Sequence, residues 1–243
     1  MKIALITGAS EGVGKKICEA LSSEGFRIVA IDSVKTEDLK KSLKNIQNHL
    51  ELVVGGADFS NPQSIIDSLA SFLPNQNWTV LVNSMGENIG GNLLESTLDQ
   101  WKQMIDTNLT VPFVLSQAFA KNSQKNNIKG SIINISSMAG ITGAKKPGYA
   151  ASRAGIFGLT KSIAMQLGPN VRCNTIYTGA VNDKMHADWD NEKRKKVIEA
   201  TPIGRIAEPE EIANIVAFLA DDKRSGFMTG AIINATGGQY LGQ

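Results

Sequence analysis

Lys2-Ile3-Ala4-Leu5-Ile6-Thr7-Gly8-Ala9-Ser10-Glu11-Gly12-Val13-Gly14 reads as a short apolar strand that turns through three glycines into a helix, with apolar positions at Ile17, Ala20 and Leu21. Glycine suits such a turn because the backbone must bend tightly and let an anion come close. Free amides at the helix N-terminus and the helix dipole then favour a diphosphate. The spacing is Gly-x-x-x-Gly-x-Gly, not the commoner Gly-x-Gly-x-x-Gly. Its place between strand and helix makes Gly8, Ser10, Glu11, Gly12, Val13 and Gly14 the expected cradle of a dinucleotide.

The next apolar run, Arg27-Ile28-Val29-Ala30-Ile31, ends in Asp32, where a carboxylate can accept hydrogen bonds from both adenosine ribose hydroxyls. The bland alternative for Asp32 is a polar strand end or a cap. A carboxylate there repels a 2'-phosphate, Glu11 adds a second negative charge, and the first basic residue after Asp32 is Lys35. The expected cofactor is therefore NAD in preference to NADP.

With 243 residues, 42% hydrophobic and 20% charged, the chain has the size of one large α/β domain, expected to span residues 1–243. A net charge of +2 carries no nucleic-acid footprint. The one basic run, Lys193-Arg194-Lys195-Lys196, is flanked by Glu192 and Glu199 and reads as a solvated helix face. Cys18 and Cys173 fall on an expected helix and strand and read as core residues, while His49 and His186 stand without carboxylate or cysteine partners at ligand spacing. No metal site is expected. No apolar run approaches the ~18 residues of a membrane span, and a strand beginning at residue 2 leaves no room for a signal peptide, so the expectation is a cytoplasmic protein without membrane partners.

Strand and helix patterns alternate along nearly the whole chain, as in a parallel sheet covered by helices on both faces. Residues 36–49 read as one polar helix and 50–54 as the third strand. Asn61-Pro62 opens another helix, and Thr79-Val80-Leu81-Val82 is a fourth strand ending at Asn83. A long helix with an apolar face at Trp101, Met104, Ile105 and Leu109 follows, then a fifth strand before Ser136. The Tyr149 helix runs to about Leu167. A sixth strand covers Val171 to Ile176, the last helix starts at Glu208-Pro209, and Ala231-Ile232-Ile233-Asn234 closes the sheet. Gly8, Asp32, Asp58, Asn83, Ser137 and Thr178 then each follow the C-terminal end of a different strand, the edge where open α/β sheets bind ligands.

Tyr149-Ala150-Ala151-Ser152-Arg153 sets a phenol and a fixed cation four residues apart, on one face of a helix. A phenol with an ordinary pKa near ~10 ionises near neutrality only where a neighbouring positive charge favours the phenolate, and Arg153 is the candidate charge. Alone, the two also fit a surface helix pair.

On these motifs the chain resembles the short-chain dehydrogenase/reductase family over essentially its full length. The resemblance rests on Thr7-Gly8-x-x-x-Gly12-x-Gly14, Asp58, the Asn108 of Asp106-Thr107-Asn108, the Ser137 of Ile135-Ser136-Ser137, and the Tyr149 helix. Through Gly204-Arg205-Ile206-Ala207-Glu208-Pro209-Glu210-Glu211-Ile212-Ala213 it is most similar to the 3-oxoacyl-acyl-carrier-protein reductase branch. The resemblance implies a single-domain Rossmann fold with a doubly wound seven-stranded parallel sheet, and a homo-oligomer, commonly a tetramer built on helix contacts. It also implies cofactor contacts at Asp58, Phe59, Asn83, Ser84, Gly86, Tyr149, Arg153, Gly179 and Val181. Ser137 would bond the carbonyl oxygen, Tyr149 would move its proton, and Asn108 would hold a relay water. The bland alternatives are that Asn108 satisfies a broken helix and that Ser137 merely ends a strand.

The chain departs from the family where Arg153 replaces a lysine that bonds the nicotinamide ribose, lowers the tyrosine pKa and shuttles a proton. Arginine can do the first two but, with a pKa above ~12, cannot lend a proton. Asn83-Ser84-Met85-Gly86 replaces Asn-Asn-Ala-Gly, Thr178-Gly179 replaces Pro-Gly, and Asp183 stands where a threonine usually contacts the nicotinamide amide. The expected activity is hydride transfer between a nicotinamide and a secondary alcohol or ketone, including 3-oxoacyl thioesters. The alternative is a low-activity cofactor-binding homologue serving as a structural or regulatory subunit. A nucleotide-sugar epimerase fits poorly, since little room follows the sixth strand. Met185, His186 and Trp189 mark the specificity segment, 181–201, and Lys145 and Lys146 read as loop lysines within reach of an anionic substrate.

Overall fold

Seven parallel strands in the order β3-β2-β1-β4-β5-β6-β7 form one sheet in a computed structural model that describes residues 2–70, 72 and 77–242. The strands are β1 (Ile3–Thr7), β2 (Arg27–Ile31), β3 (Leu50–Val54), β4 (Trp78–Asn83), β5 (Gly130–Ser137), β6 (Val171–Thr178) and β7 (Ile232–Ala235). The order reverses between β1 and β4, so the crevice at the C-terminal ends of those two strands is the switch point of the sheet.

Strand side chains alternate between two cores. Ala4, Ile6, Ile28, Ala30, Val80, Val82 and Ile133 face one, with Ile17, Cys18 and Leu21 of α1 (Gly12–Ser23) and Ile212 and Val216 of α9 (Pro209–Ala220). Ile3, Leu5, Val29, Ile31, Leu81 and Ile132 face the other. There they meet Ile65 of α3 (Pro62–Leu69), Leu115 and Phe119 of α5 (Val111–Asn126), and Ala164 of α7 (Pro147–Leu167). Both cysteines are free and buried, and burial pushes the Cys173 thiol up to about 12. Asn61 caps α3, its side chain accepting from Ser64 N, with Pro62 in the first turn.

Two expected helices are interrupted. Residues 36–49 form α2 (Thr36–Ser42) and a separate 3-10 segment (Lys44–His49), broken at Ile46, whose φ is −118°. Leu43 and Ile46 are both buried three residues apart, a spacing that the three-residue turn of a 3-10 segment places on one side. The long helix after β4 is α4 (Leu98–Ile105), one π turn (Asp106–Thr110) and α5, while the shorter α6 (Ala139–Thr142) follows β5 and α8 (Asn191–Glu199) follows β6. Of its expected apolar face, Met104 is buried, Ile105 and Leu109 are half-buried and Trp101 is 40% exposed.

Trp78 anchors the second core, its ring meeting Phe119 edge-on at 4.9 Å. Trp78→Ala should cost about 3–5 kcal/mol. Urea unfolding followed by circular dichroism measures this, and a loss below about 1 kcal/mol would show that the core closes around the vacancy.

Candidate active site

The end of β1 organises the crevice. Thr7 Oγ1 accepts from Ser84 N (3.1 Å) and Met85 N (3.0 Å), tying β4 to β1, and Gly8 N donates to Ile31 O (2.9 Å), tying β1 to β2. Gly14 is required by packing: a Cβ there would lie 1.8 Å from Gly8 O. Glu11, at the N-cap of α1, makes no capping bond with its side chain, so the first-turn amides remain open to an anion. Asp32 is buried, and its Oδ2 accepts from Ser10 N (2.8 Å). Gly8, Ser10, Glu11, Gly12, Val13, Gly14, Asp32, Ser84 and Gly86 all line one cleft of about 850 Å³. Its size, its open helix amides and its carboxylate fit a dinucleotide.

Seven residues expected at the cofactor, Asp58, Phe59, Asn83, Tyr149, Arg153, Gly179 and Val181, lie outside the lining of that cleft, as do Asn108 and Ser137. Asp58 turns its carboxylate onto Ser60 N (3.0 Å) and Oγ (2.6 Å). Phe59 is buried, with its carbonyl bonded by Thr107 Oγ1 (3.3 Å). The side chain of Asn83 points into the sheet, its Nδ2 donating to Asn134 Oδ1 (2.7 Å). Gly179 packs on Thr236 and Gln239, and Val181 is buried in a bridge to Ala207.

Arg153 leaves α7 to sit under the floor of the cleft. It is 5% exposed, its Cζ lies 5.2 Å from the centre of the Tyr149 ring, and Nη1 donates to Ile135 O (3.3 Å). Its Nε is buried without a partner. Gly86 makes room for it, since a Cβ on Gly86 would lie 1.8 Å from Nη2. The guanidinium thus meets the face of the phenol ring, where a cation interacts favourably with the π-system. Through Gly86 it connects Tyr149 to the wall of the cleft that carries the glycine turn.

Of the two serines ending β5, Ser136 is spent, its hydroxyl donating to Arg153 O (2.9 Å). Ser137 Oγ accepts from Ala139 N (3.2 Å), and its hydrogen remains free to donate. Both ends of the Asn108 side-chain amide are bonded. Oδ1 accepts from Glu87 N (2.9 Å), while Nδ2 donates to Glu87 O (3.0 Å) and Ser152 Oγ (3.0 Å). Both amide hydrogens are used, so the side chain clamps the loop after Gly86 and can meet a relay water only as an acceptor through Oδ1. The bland reading of Asn108 as a partner for a broken helix is also displaced, because its bonds reach across to that loop.

Two charge readings change as well. Glu11 is paired with Lys184, so its carboxylate is not an isolated charge, and Lys184 is held above the ordinary lysine value by that contact. Asp183 caps the short Lys184–His186 turn, accepting from Met185 N (3.0 Å), and its Cβ lies 3.1 Å from where Gly12 would carry one. The segment therefore crosses the glycine turn. His186 does have a carboxylate neighbour: Nδ1 lies 2.9 Å from Val181 O and 3.3 Å from Asp183 Oδ1, and two acceptors require the hydrogen on Nδ1. Among the described residues no group of three or more His, Cys, Asp or Glu side chains could hold a metal ion, and no helix is long and apolar enough to cross a membrane.

Glu87, Lys146, Met185, His186 and Trp189 also line the cleft. Glu87 went unremarked in the sequence although it follows Gly86 directly.

The seat of Arg153 gives a test. Gly86→Ala should destabilise the chain by about 1–3 kcal/mol through overpacking, and much less in an Arg153→Met background. A double-mutant cycle in urea reads the coupling, and equal costs in both backgrounds would remove the contact from the account.

A family model described as "Enoyl-(Acyl carrier protein) reductase" matches residues 8–239. The 3-oxoacyl-[acyl-carrier-protein] reductase of Vibrio cholerae is 33% identical, covering 99% of this chain and 98% of its own length. Human (3R)-3-hydroxyacyl-CoA dehydrogenase is 30% identical over 98% of this chain and 95% of its own. Among solved structures, a 4-hydroxyisoleucine dehydrogenase complexed with NADH has a TM-score of 0.90 at 28% identity, covering 100% of both chains. A putative NAD(P)-dependent gluconate 5-dehydrogenase from Beutenbergia cavernae, with bound NADP, has a TM-score of 0.90 at 27% identity, covering 98% of this chain and 96% of its own. With the glycine turn, the switch-point cleft and the Tyr149 helix in place, the chain belongs to the short-chain dehydrogenase/reductase family of NAD(P)-dependent oxidoreductases.

Proposed function

We propose that the chain catalyses NAD-linked interconversion of a secondary alcohol and a ketone, with 3-oxoacyl thioesters, the substrates named for its sequence relatives, as the first class to assay. The observation that carries this reading is the buried guanidinium of Arg153 against the Tyr149 ring, under the floor of the cleft. The open amides of α1 hold the diphosphate and Asp32 receives the adenosine ribose. When bound, the nicotinamide gives or accepts the hydride.

The chain's own groups manage the oxygen. In reduction, Ser137 donates a hydrogen bond to the carbonyl oxygen and Tyr149 donates its proton. In oxidation, the phenolate takes the alcohol proton. Arg153 places a permanent positive charge against the Tyr149 ring without itself exchanging a proton. Asn108 acts at one remove, fixing the loop that carries Gly86 and Glu87. Self-association through helices is supported by the exposed Leu98 and Trp101 of α4 and Phe113 of α5.

Tyr149→Phe should lower turnover by about 10²–10⁴-fold while NADH binding and the unfolding midpoint stay unchanged. Stopped-flow absorbance at the nicotinamide band, with 3-oxoacyl, enoyl and simple ketone substrates, reads this, and undiminished turnover would refute the proton role. Asp32→Asn should narrow the preference for NAD over NADP by roughly tenfold or more, because the charge that repels a 2'-phosphate is removed while the acceptor for Ser10 N is kept. The ratio of kcat/KM for the two cofactors measures it, and an unaltered ratio would move the discrimination elsewhere.

A further inference from the structure

Glu87 is a carboxylate held in place inside the cleft with no cation to meet it. Its backbone is immobilised at both ends by Asn108, which accepts from Glu87 N (2.9 Å) and donates to Glu87 O (3.0 Å). Its side chain is anchored by one oxygen only, Oε2 accepting from the neutral amide of Gln103 (2.9 Å). Among the described residues nothing donates to Oε1, and no Lys, Arg or His nitrogen lies within 4.0 Å of the carboxylate. Lys146, on the same wall, sends its ammonium to Asn88 O (2.7 Å).

The loop carrying Glu87 runs beside Arg153 and Tyr149. Gly86, immediately before Glu87, bears on the Arg153 guanidinium, and Ile89, two residues after it, packs with Met104, Ala139 and Tyr149. A half-buried carboxylate in such a place has lost part of its water and regains the loss most fully by pairing with a cation. The fixed orientation means little ordering remains to be done when that cation arrives.

We infer that Glu87 is an ammonium subsite, and that the substrate is a secondary alcohol or ketone bearing a protonated amine close to the reacting carbon. This rests on the oxidoreductase reading and puts amino-bearing alcohols and ketones in place of 3-oxoacyl thioesters as its substrate class. An uncharged acyl chain leaves Oε1 without a partner, whereas an ammonium supplies a charge-assisted hydrogen bond to it. Met185, Trp189 and Ile89, which line the same cleft, leave an apolar wall for the carbon skeleton.

The test uses 1-amino-2-propanol and 2-butanol, which differ by an ammonium in place of a methyl group, with NAD and the full chain. The wild type should favour the amino alcohol in kcat/KM by on the order of 10–100-fold, Glu87→Gln should bring that ratio close to one, and Glu87→Asp should restore most of it. A wild-type ratio near one, or a ratio that Glu87→Gln leaves untouched, overturns the subsite, while turnover of either alcohol leaves the oxidoreductase reading standing. If neither alcohol is turned over, calorimetric titration of the NADH-loaded protein with 1-amino-2-propanol decides. Binding that disappears in Glu87→Gln supports the subsite, and equal or absent binding in both proteins sinks it.

Discussion

The buried guanidinium of Arg153, with no carboxylate within 4.0 Å among the described residues, is the constraint on which the cleft depends. Removing such a charge from water costs several kcal/mol unless the surroundings compensate. Here they consist of one carbonyl, Ile135 O, and the face of the Tyr149 ring, and Nε is left without a partner. The charge is therefore under-satisfied by the protein alone. An arginine at this place keeps a fixed positive charge against the Tyr149 ring and gives up proton transfer by the cation.

Seating the guanidinium couples three elements. It requires glycine at position 86 after β4, a free carbonyl at the end of β5, and the start of α7. Asn108 then fixes what Gly86 leaves flexible, holding Glu87 through both backbone groups while its second amide hydrogen reaches Ser152, whose hydroxyl donates to Tyr149 O (2.9 Å). Asn108 lies in the π turn between α4 and α5, where the ordinary helix ladder is interrupted. A residue of the π turn thus braces the loop opposite, and Tyr149, Arg153 and the wall of the cleft form one connected unit.

Much of this was legible in the sequence because it is local. Short apolar runs mark strands whatever surrounds them, and a glycine turn between strand and helix has few other uses, so β1, β2, β3 and the order of the elements follow directly. Long-range partners decided the rest. Glu11 reads as a bare negative charge until Lys184, brought over the turn by the Asp183 cap, pairs with it. The break at Ile46 depends on what Leu43 and Ile46 are buried against, and the π turn leaves a hydrophobic pattern indistinguishable from a plain helix. Asn108 and Ser137 were identifiable as residues, but which hydrogen each has left to give could be read only from its neighbours.

Arg153→Met tests the central claim most directly, because it removes the charge and keeps an apolar side chain of comparable reach. Single-turnover absorbance of the NADH-loaded protein with a ketone it reduces should show hydride transfer slowed by about 10²-fold or more, with NADH affinity by fluorescence titration little changed. A transfer rate equal to that of the wild type would mean that the guanidinium beside Tyr149 is structural, and the account of the cleft built on it would fail.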